Sequence, residues 1–373
     1  MKKILLLLLI IGLSVGFASN QKYCTKISDE QRKTVIYLDL SSTNDKQFAN
    51  EIFNNVSNNF LPHERVQIFT IDPQESSVKE VFNSCAPILT AQEIKKVNSE
   101  SGLKYAFGGN PIEGAKEDYS FFKSAIKSTL AKVYKKSKKG SSDKKELIEL
   151  LYAENSQFKN SAMSRVIILS DMIQNSEFVS NNDIYDVANI SKVKNEYGID
   201  FNNAEIYVYT LKKKLGASKT KLLKEFWSEY FESNNGYLKY FNDRLEVPKI
   251  RALYSKKFEG KIKIADKEYS SKILLNYDNK GKVYNSWIII NELDSIPLEG
   301  VVKKTSNSLS ANLKVPTISD NQHKLFCKGQ KVNLSLSDGT LQGTIKLDNT
   351  NLSVNGKVLK DGAFSIKMKE VEL

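Results

Sequence analysis

Residues 34–45 read TVIYLDLSSTND and place an apolar run directly before a cluster of oxygen-bearing side chains. Residues 35–38 are β-branched, aromatic or aliphatic without polar alternation, which is typical of a strand covered on both faces in a parallel sheet. Ligands bind at the carboxyl ends of the strands in open α/β sheets. Asp39, Ser41 and Thr43, which follow the apolar run, are therefore expected to form part of a site.

Further strands and amphipathic helices alternate along the first two thirds of the chain. Buried or edge strands are predicted over residues 65–71, 165–172, 204–211 and 237–241. The spacing of apolar residues predicts helices over residues 46–60, 118–136, 143–155, 184–197 and 218–232. A glycine-rich turn, FGGNPIEGA, is expected over residues 107–115. This alternation predicts an α/β domain with a doubly wound, mostly parallel sheet over residues 19–246.

The pattern changes near Pro248, where short β-rich runs with hairpin turn signals replace the helices. Roughly eight to ten strands at this spacing predict an all-β sandwich or barrel domain over residues 247–373. Three segments resemble one another, FEGKIKI at 258–264, LEGVVKK at 298–304 and LQGTIKL at 341–347. Duplication of a strand unit is one explanation, and the frequency of such patterns in β proteins is the other.

Residues 1–18 have the features of a secretory signal peptide. Lys2 and Lys3 precede an apolar run over residues 4–15, and Gly16 and Ala18 are small residues at the positions that a signal peptidase reads. Cleavage is expected after Ala18. The residues before Cys24 lack the small side chains that lipidation needs. The chain is thus expected to be exported, with the periplasm as the expected compartment and secretion as the alternative.

The three cysteines suit an exported chain with one disulfide and one free thiol. A third, antiparallel strand near residues 78–82 would run back to the edge of the sheet where the first strand begins. That course brings Cys85 near Cys24 and predicts a disulfide between them, with Cys327 free in the second domain. Three unpaired cysteines are the alternative.

The charge is basic, at +12 for the whole chain and +10 without the two signal lysines. Such a balance weakly favours anionic partners or contact with an anionic envelope surface. The lysines over residues 132–145 are interpreted as a solvated face, with steering of an acidic partner as the alternative. Nucleic acid is not an expected partner, because an exported chain without an aromatic and basic platform lacks the usual binding surface.

Residues 39–43, DLSST, together with Ser170 and Asp171 at the end of a later strand, resemble a von Willebrand factor A domain. The order of strands and helices extends this resemblance along the α/β domain. In that family a metal-ion-dependent adhesion site combines an Asp-x-Ser-x-Ser loop, a Thr from a second loop and an Asp from a third. Thr43 stands in place of the last serine and keeps a hydroxyl.

The resemblance implies Mg²⁺ or another divalent cation held by Asp39, Ser41, Thr43, Ser142 and Asp171. Two hydroxyls would bind directly and the two carboxylates through water, leaving a position for an acidic residue of a protein partner. Ser142 matches the second loop best by order, and Ser141 and Asn110 are the alternatives. The competing interpretation is that the aspartate and hydroxyls only cap the following helix.

No enzyme is expected. A haloacid dehalogenase-like phosphatase needs a second Asp where Ser41 stands, and His63 and His323 lack the clustered cysteines of a zinc site. The abundance of Lys and Asn is typical of an AT-rich bacterial genome. The preferred function is an exported, non-enzymatic protein-binding or assembly component of the bacterial cell envelope. Two alternatives are a metal-free structural α/β domain whose β domain binds, and a hydrolase with an unrecognised site.

Overall fold

The structure is a computed structural model. It describes residues 22–24, 32–41, 53–54, 56, 60–72, 75–100, 109–137, 145–158, 164–202, 204–210, 215–242, 254–264, 266–284, 286–290, 294–305, 308–315, 331–337, 339–346, 353–354, 357–358 and 364–371. The predicted signal peptide and Cys327 lie outside these residues.

A six-stranded mixed sheet forms the first unit, with strand order β3-β2-β1-β4-β5-β6. The strands are β1 (Lys33–Asp39), β2 (Arg65–Asp72), β3 (Ser77–Cys85), β4 (Arg165–Ser170), β5 (Glu205–Thr210) and β6 (Tyr237–Asn242). Only β3 is antiparallel to its neighbour, as predicted. The apolar segment at 34–38 therefore lies in the middle of the sheet.

Helices cover both faces of the sheet, which confirms the doubly wound α/β class. They are α1 (Ala91–Ser99), α2 (Pro111–Ser137), α3 (Leu147–Ala153), α4 (Ile190–Tyr197) and α5 (Ala217–Ser233). Val35 and Tyr37 of β1 pack in one core with α3, α4 and α5, whereas Ile36 and Leu38 pack in the other core with α2. Alternate side chains of one strand thus enter two cores, which explains why the strand has no polar alternation.

Three helix predictions need correction. Helix α2 begins at Pro111 inside the segment expected to be a turn, because proline suits the first helical position and Asn110 Oδ1 accepts a hydrogen bond from the Ile112 N–H. Helix α1 was not predicted, although Thr90 and Glu93 form a capping box at its start. The helix expected over 184–197 is an α-helix only from Ile190, after two short 3₁₀ turns. Most of the helix expected over 46–60 lies outside the described residues.

A buried ionic cluster joins the amino ends of the central strands, opposite the candidate site. Glu64, which is fully buried, accepts hydrogen bonds from Arg32 Nη2 at 2.6 Å and Arg165 Nη2 at 3.3 Å, and also from the Thr34 hydroxyl. The Leu61 N–H donates to the same carboxylate at 2.6 Å. Burial lowers the pKa of Arg165 to about 10, and the nearby Arg32 adds to this effect.

The second unit is a closed antiparallel barrel, which decides between the two predicted β architectures. Its strands run in the order β10-β11-β12-β13-β16-β7-β8-β9. They are β7 (Tyr254–Ile264), β8 (Lys267–Tyr277), β9 (Ser286–Ile290), β10 (Asp294–Lys304), β11 (Ser308–Lys314), β12 (Lys331–Ser337), β13 (Thr340–Lys346) and β16 (Phe364–Val371). Two short strands, β14 (Ser353–Val354) and β15 (Lys357–Val358), form a separate hairpin. Large aliphatic side chains such as Ile262, Leu334 and Ile366 fill the barrel interior.

The predicted disulfide between Cys24 and Cys85 is present. Strand β3 returns antiparallel to β2 and ends at Cys85, which brings the two Cα atoms to 5.2 Å across 61 residues of sequence. Among the helices that the structure describes, none is long and apolar enough to cross a membrane.

Candidate functional site

The carboxyl ends of β1 and β4 bring together three of the predicted site residues that lie within the described part of the chain. Leu38 pairs with Leu169 across the two parallel strands, so the next residues, Asp39 and Ser170, are neighbours at the same edge. Ser41 follows β1 and Asp171 follows β4. Parallel strand pairing therefore places both carboxylates at the edge where the sequence predicted a site.

Hydroxyls and a backbone amide surround the carboxylate of Asp39. The Ser41 Oγ donates to Asp39 Oδ1 at 2.6 Å, and the Ser41 N–H donates to the same oxygen at 2.9 Å. On the other side, Ser170 Oγ donates to Asp39 Oδ2 at 2.7 Å. The side chain of Asp39 is only 4% exposed, so these donors replace hydration that the carboxylate would otherwise lose.

The second carboxylate, that of Asp171, binds a lysine that the sequence analysis did not assign to the site. Lys145 Nζ lies 2.7 Å from both carboxylate oxygens of Asp171 and 3.6 Å from Asp39 Oδ2. The Lys145 side chain is 7% exposed. An ammonium group therefore lies between the two aspartates inside the protein.

Backbone contacts hold Lys145 at this place. Its N–H donates to the Asn175 carbonyl at 2.8 Å, and the Asn175 N–H donates back to the Lys145 carbonyl at 2.7 Å. The neighbouring Gln174, which is fully buried, accepts a hydrogen bond from the Ile148 N–H in the first turn of α3. The segment after β4 thus fixes both the lysine and the helix that follows it.

These residues, as arranged, fit an ammonium group and not a divalent cation. Mg²⁺ prefers about six oxygen ligands in near-octahedral geometry and keeps several waters. Here both oxygens of Asp171 bind Lys145 Nζ, and the Ser41 and Ser170 hydroxyls donate to Asp39. Within the described residues, no group of three His, Cys, Asp or Glu side chains is arranged to hold a metal.

Several predicted site residues lie elsewhere or outside the described residues. Thr43, Ser141 and Ser142 are outside them, so their part in the site stays a prediction. Asn110 is exposed and caps α2. His63 is buried against Glu93 of α1, at 2.8 Å, which makes it part of the packing of that helix.

The interpretation of the lysine run as a solvated face holds for three of its members and is wrong for Lys145. Lys132, Lys135 and Lys136 are exposed on α2, whereas Lys145 is buried. The charged sequence around Lys145, SSDKKEL, carries no signal that separates it from Lys144. Its partners are distant in sequence, so only the tertiary structure identifies it.

Comparison with known proteins adds little to this description. No family model matches the chain, and no curated protein matches it. Among solved structures, the manganese-loaded Plasmodium vivax TRAP protein aligns with 84% of this chain and 95% of its own, at 10% identity and a TM-score of 0.30. At that TM-score the two structures differ over most of their length, and nothing is transferred from that protein to this chain.

Proposed function

We propose that this chain is an exported, non-enzymatic component of a bacterial cell envelope that binds a protein partner. In this proposal the α/β unit, residues 19–246, is a structural scaffold, and the barrel unit, residues 247–373, carries the binding surface. The observation that supports it is the buried contact of Lys145 with Asp39 and Asp171. That contact neutralises the edge of the sheet where a binding site was expected.

The burial of this edge supports a scaffold role. An acidic residue of a partner would have to reach carboxylates that are 2–4% exposed, and it would meet two negative charges that a lysine already balances. Bringing a further carboxylate there costs desolvation and gains little attraction. Binding at this position is therefore unfavourable while Lys145 stays in place.

The outer face of the barrel supports a binding role for that unit. A groove of about 500 Å³ runs over β12, β13 and β16, and its outward side chains are Asn333, Ser335, Gln342, Thr344, Ser365 and Lys367. Lys367 lies directly opposite Lys261 of β7. Like charges opposite each other on neighbouring strands are destabilising, so an acidic side chain of a partner would relieve their repulsion.

The alternative is a metal-dependent adhesion site that holds Mg²⁺ or Mn²⁺ through Asp39, Ser41, Thr43, Ser142 and Asp171. The convergence of Asp39, Ser41 and Asp171 at one edge favours it. The two proposals differ in one property, because a metal-dependent site loses its partner when the metal is removed.

A pull-down from envelope extract, with and without a chelator, separates the two proposals. We expect capture to survive chelation and to survive Asp39→Asn, because Lys145 and not a metal balances the site. The double substitution Lys261→Glu and Lys367→Glu should abolish capture, since it reverses the charge beside the groove. Lys303→Glu on β10, also exposed, is the matched control and should bind like the wild type.

Capture that disappears with chelator, and again with Asp39→Asn, would favour the metal-dependent alternative. Capture by the wild type that the Lys261→Glu and Lys367→Glu protein retains would contradict the barrel face as the binding surface. Circular dichroism of each variant shows whether a loss of capture comes from misfolding.

A further inference from the structure

The site at the carboxyl ends of β1 and β4 contains its own cation. Lys145 Nζ binds both oxygens of Asp171 at 2.7 Å and lies 3.6 Å from Asp39 Oδ2. The three side chains are 2–7% exposed. Two buried carboxylates require a positive charge or protonation, because an unpaired buried charge is strongly unfavourable.

The lysine is fixed in place before any ligand arrives. Two backbone hydrogen bonds join Lys145 to Asn175, and the Asp171 carboxylate also accepts the Ile173 N–H at 3.1 Å. Both partners of the ion pair are therefore held by the same short segment after β4. The flexible lysine stem needs little further ordering to keep the ammonium between the aspartates.

A divalent cation and this ammonium group exclude each other. A metal that used the carboxylates of Asp39 and Asp171 would lie within a few ångströms of Lys145 Nζ, and the repulsion between such charges inside a protein is large. The oxygens that face the ammonium are also the oxygens that the metal would need. Only one of the two cations can occupy the position at a time.

We infer that Lys145 is the resident cation of this site and that it takes the position of a divalent metal. The wild-type site is therefore independent of metal, and removal of the ammonium group leaves two buried carboxylates and two hydroxyls that a divalent cation can neutralise. This inference concerns the site and not the partner, so its test is independent of the proposed function.

The test compares wild type and Lys145→Ala in the full chain, with Mn²⁺ or Mg²⁺ as the probe. The wild type should show no metal-dependent rise in melting temperature, whether in chelator or in millimolar metal. Lys145→Ala should melt several degrees lower in chelator and regain much of that loss in metal, because a ligand that binds only the folded state stabilises it. Adding Asp171→Asn to Lys145→Ala should abolish the recovery.

Two further variants keep the result interpretable. Lys135→Ala removes an exposed lysine of α2 and should behave like the wild type in both conditions. Lys145→Arg retains a positive charge and should gain no metal response. If Lys145→Ala does not fold in chelator, its refolding yield with and without Mn²⁺ replaces the melting temperature as the measurement.

Two results would overturn the inference. The first is a metal-dependent shift in the wild type that Asp171→Asn removes, since the metal would then bind beside the lysine or displace it. The second is a Lys145→Ala protein whose stability does not respond to Mn²⁺ or Mg²⁺, since the ammonium would then not stand in a metal position.

Discussion

Charged side chains are buried at both ends of the central strands, and each end neutralises them differently. At the carboxyl ends, Lys145 balances Asp39 and Asp171 and serine hydroxyls complete the contacts. At the amino ends, Glu64 lies between Arg32 and Arg165. A buried charge is tolerated only when it is paired and hydrogen-bonded, so each cluster holds its residues at one position.

Substitution of Glu64 by Gln should cost the α/β unit about 3–5 kcal/mol in free energy of unfolding, because it leaves two buried arginines without their carboxylate. Urea unfolding followed by tryptophan fluorescence measures this loss. Glu113→Gln is the matched control, since Glu113 is 62% exposed and pairs only with the exposed Lys116. A Glu64→Gln protein as stable as that control would show that the cluster is not a source of stability.

The three similar segments of the barrel have a common packing role at the scale of the strand. Gly260, Gly300 and Gly343 lie on β7, β10 and β13, and each is packed against the backbone of a neighbouring strand. A Cβ would lie 2.7 Å from the Met368 Cα at Gly260 and 2.5 Å from the Asn333 carbonyl oxygen at Gly343. Close approach in a curved sheet therefore explains the shared glycine. The duplication of a strand unit stays a prediction.

Gly300→Ala should destabilise the barrel by about 1–3 kcal/mol, because it adds steric strain at a backbone angle that alanine rarely adopts. Its φ is +147°, and a Cβ would lie 2.9 Å from the Leu313 Cα. Gly114→Ala in α2 is the matched control, since nothing lies within 4 Å of its added Cβ. That change should raise stability, because alanine favours a helix over glycine. Thermal unfolding of both variants tests the contrast, and equal effects would contradict it.

At the scale of the whole molecule, an α/β unit and a barrel have separate hydrophobic cores. The buried aliphatic residues of the barrel form one cluster, and those of the sheet and its helices form two others. Lys239 of β6 donates a hydrogen bond to Glu299 of β10 at 2.8 Å, which links the two units. Separate cores favour independent folding of each unit.

We therefore expect fragments 19–246 and 247–373 to fold separately, the first with its disulfide formed. Each should show a cooperative thermal transition close to one of those in the full chain, because a core confined to a unit is retained in its fragment. Circular dichroism and scanning calorimetry make the comparison. A barrel fragment without a cooperative transition would contradict the boundary or the independence of the two units.

Local pattern predicted the elements whose signal is long and uniform. The buried strands at 34–38 and 165–170 and the antiparallel β3 followed from composition and order, and so did the disulfide. Helix starts were less predictable, because a proline at Pro111 and a capping box at Thr90 outweigh the apolar spacing that was used. The choice of a barrel over a sandwich depends on closure between β9 and β10, which local hairpin signals do not encode.

The sequence by itself determined the fold class, the edge of the sheet where Asp39, Ser41 and Asp171 meet, and the pairing of Cys24 with Cys85. These follow from strand composition and from the rule that parallel strands end at one edge. Only the tertiary structure decided what neutralises that edge. Lys145 is 26 residues from Asp171 and lies in a charged run, so no local pattern distinguishes it from an exposed lysine. Its role arises because the Asn175 backbone places its ammonium between two buried carboxylates.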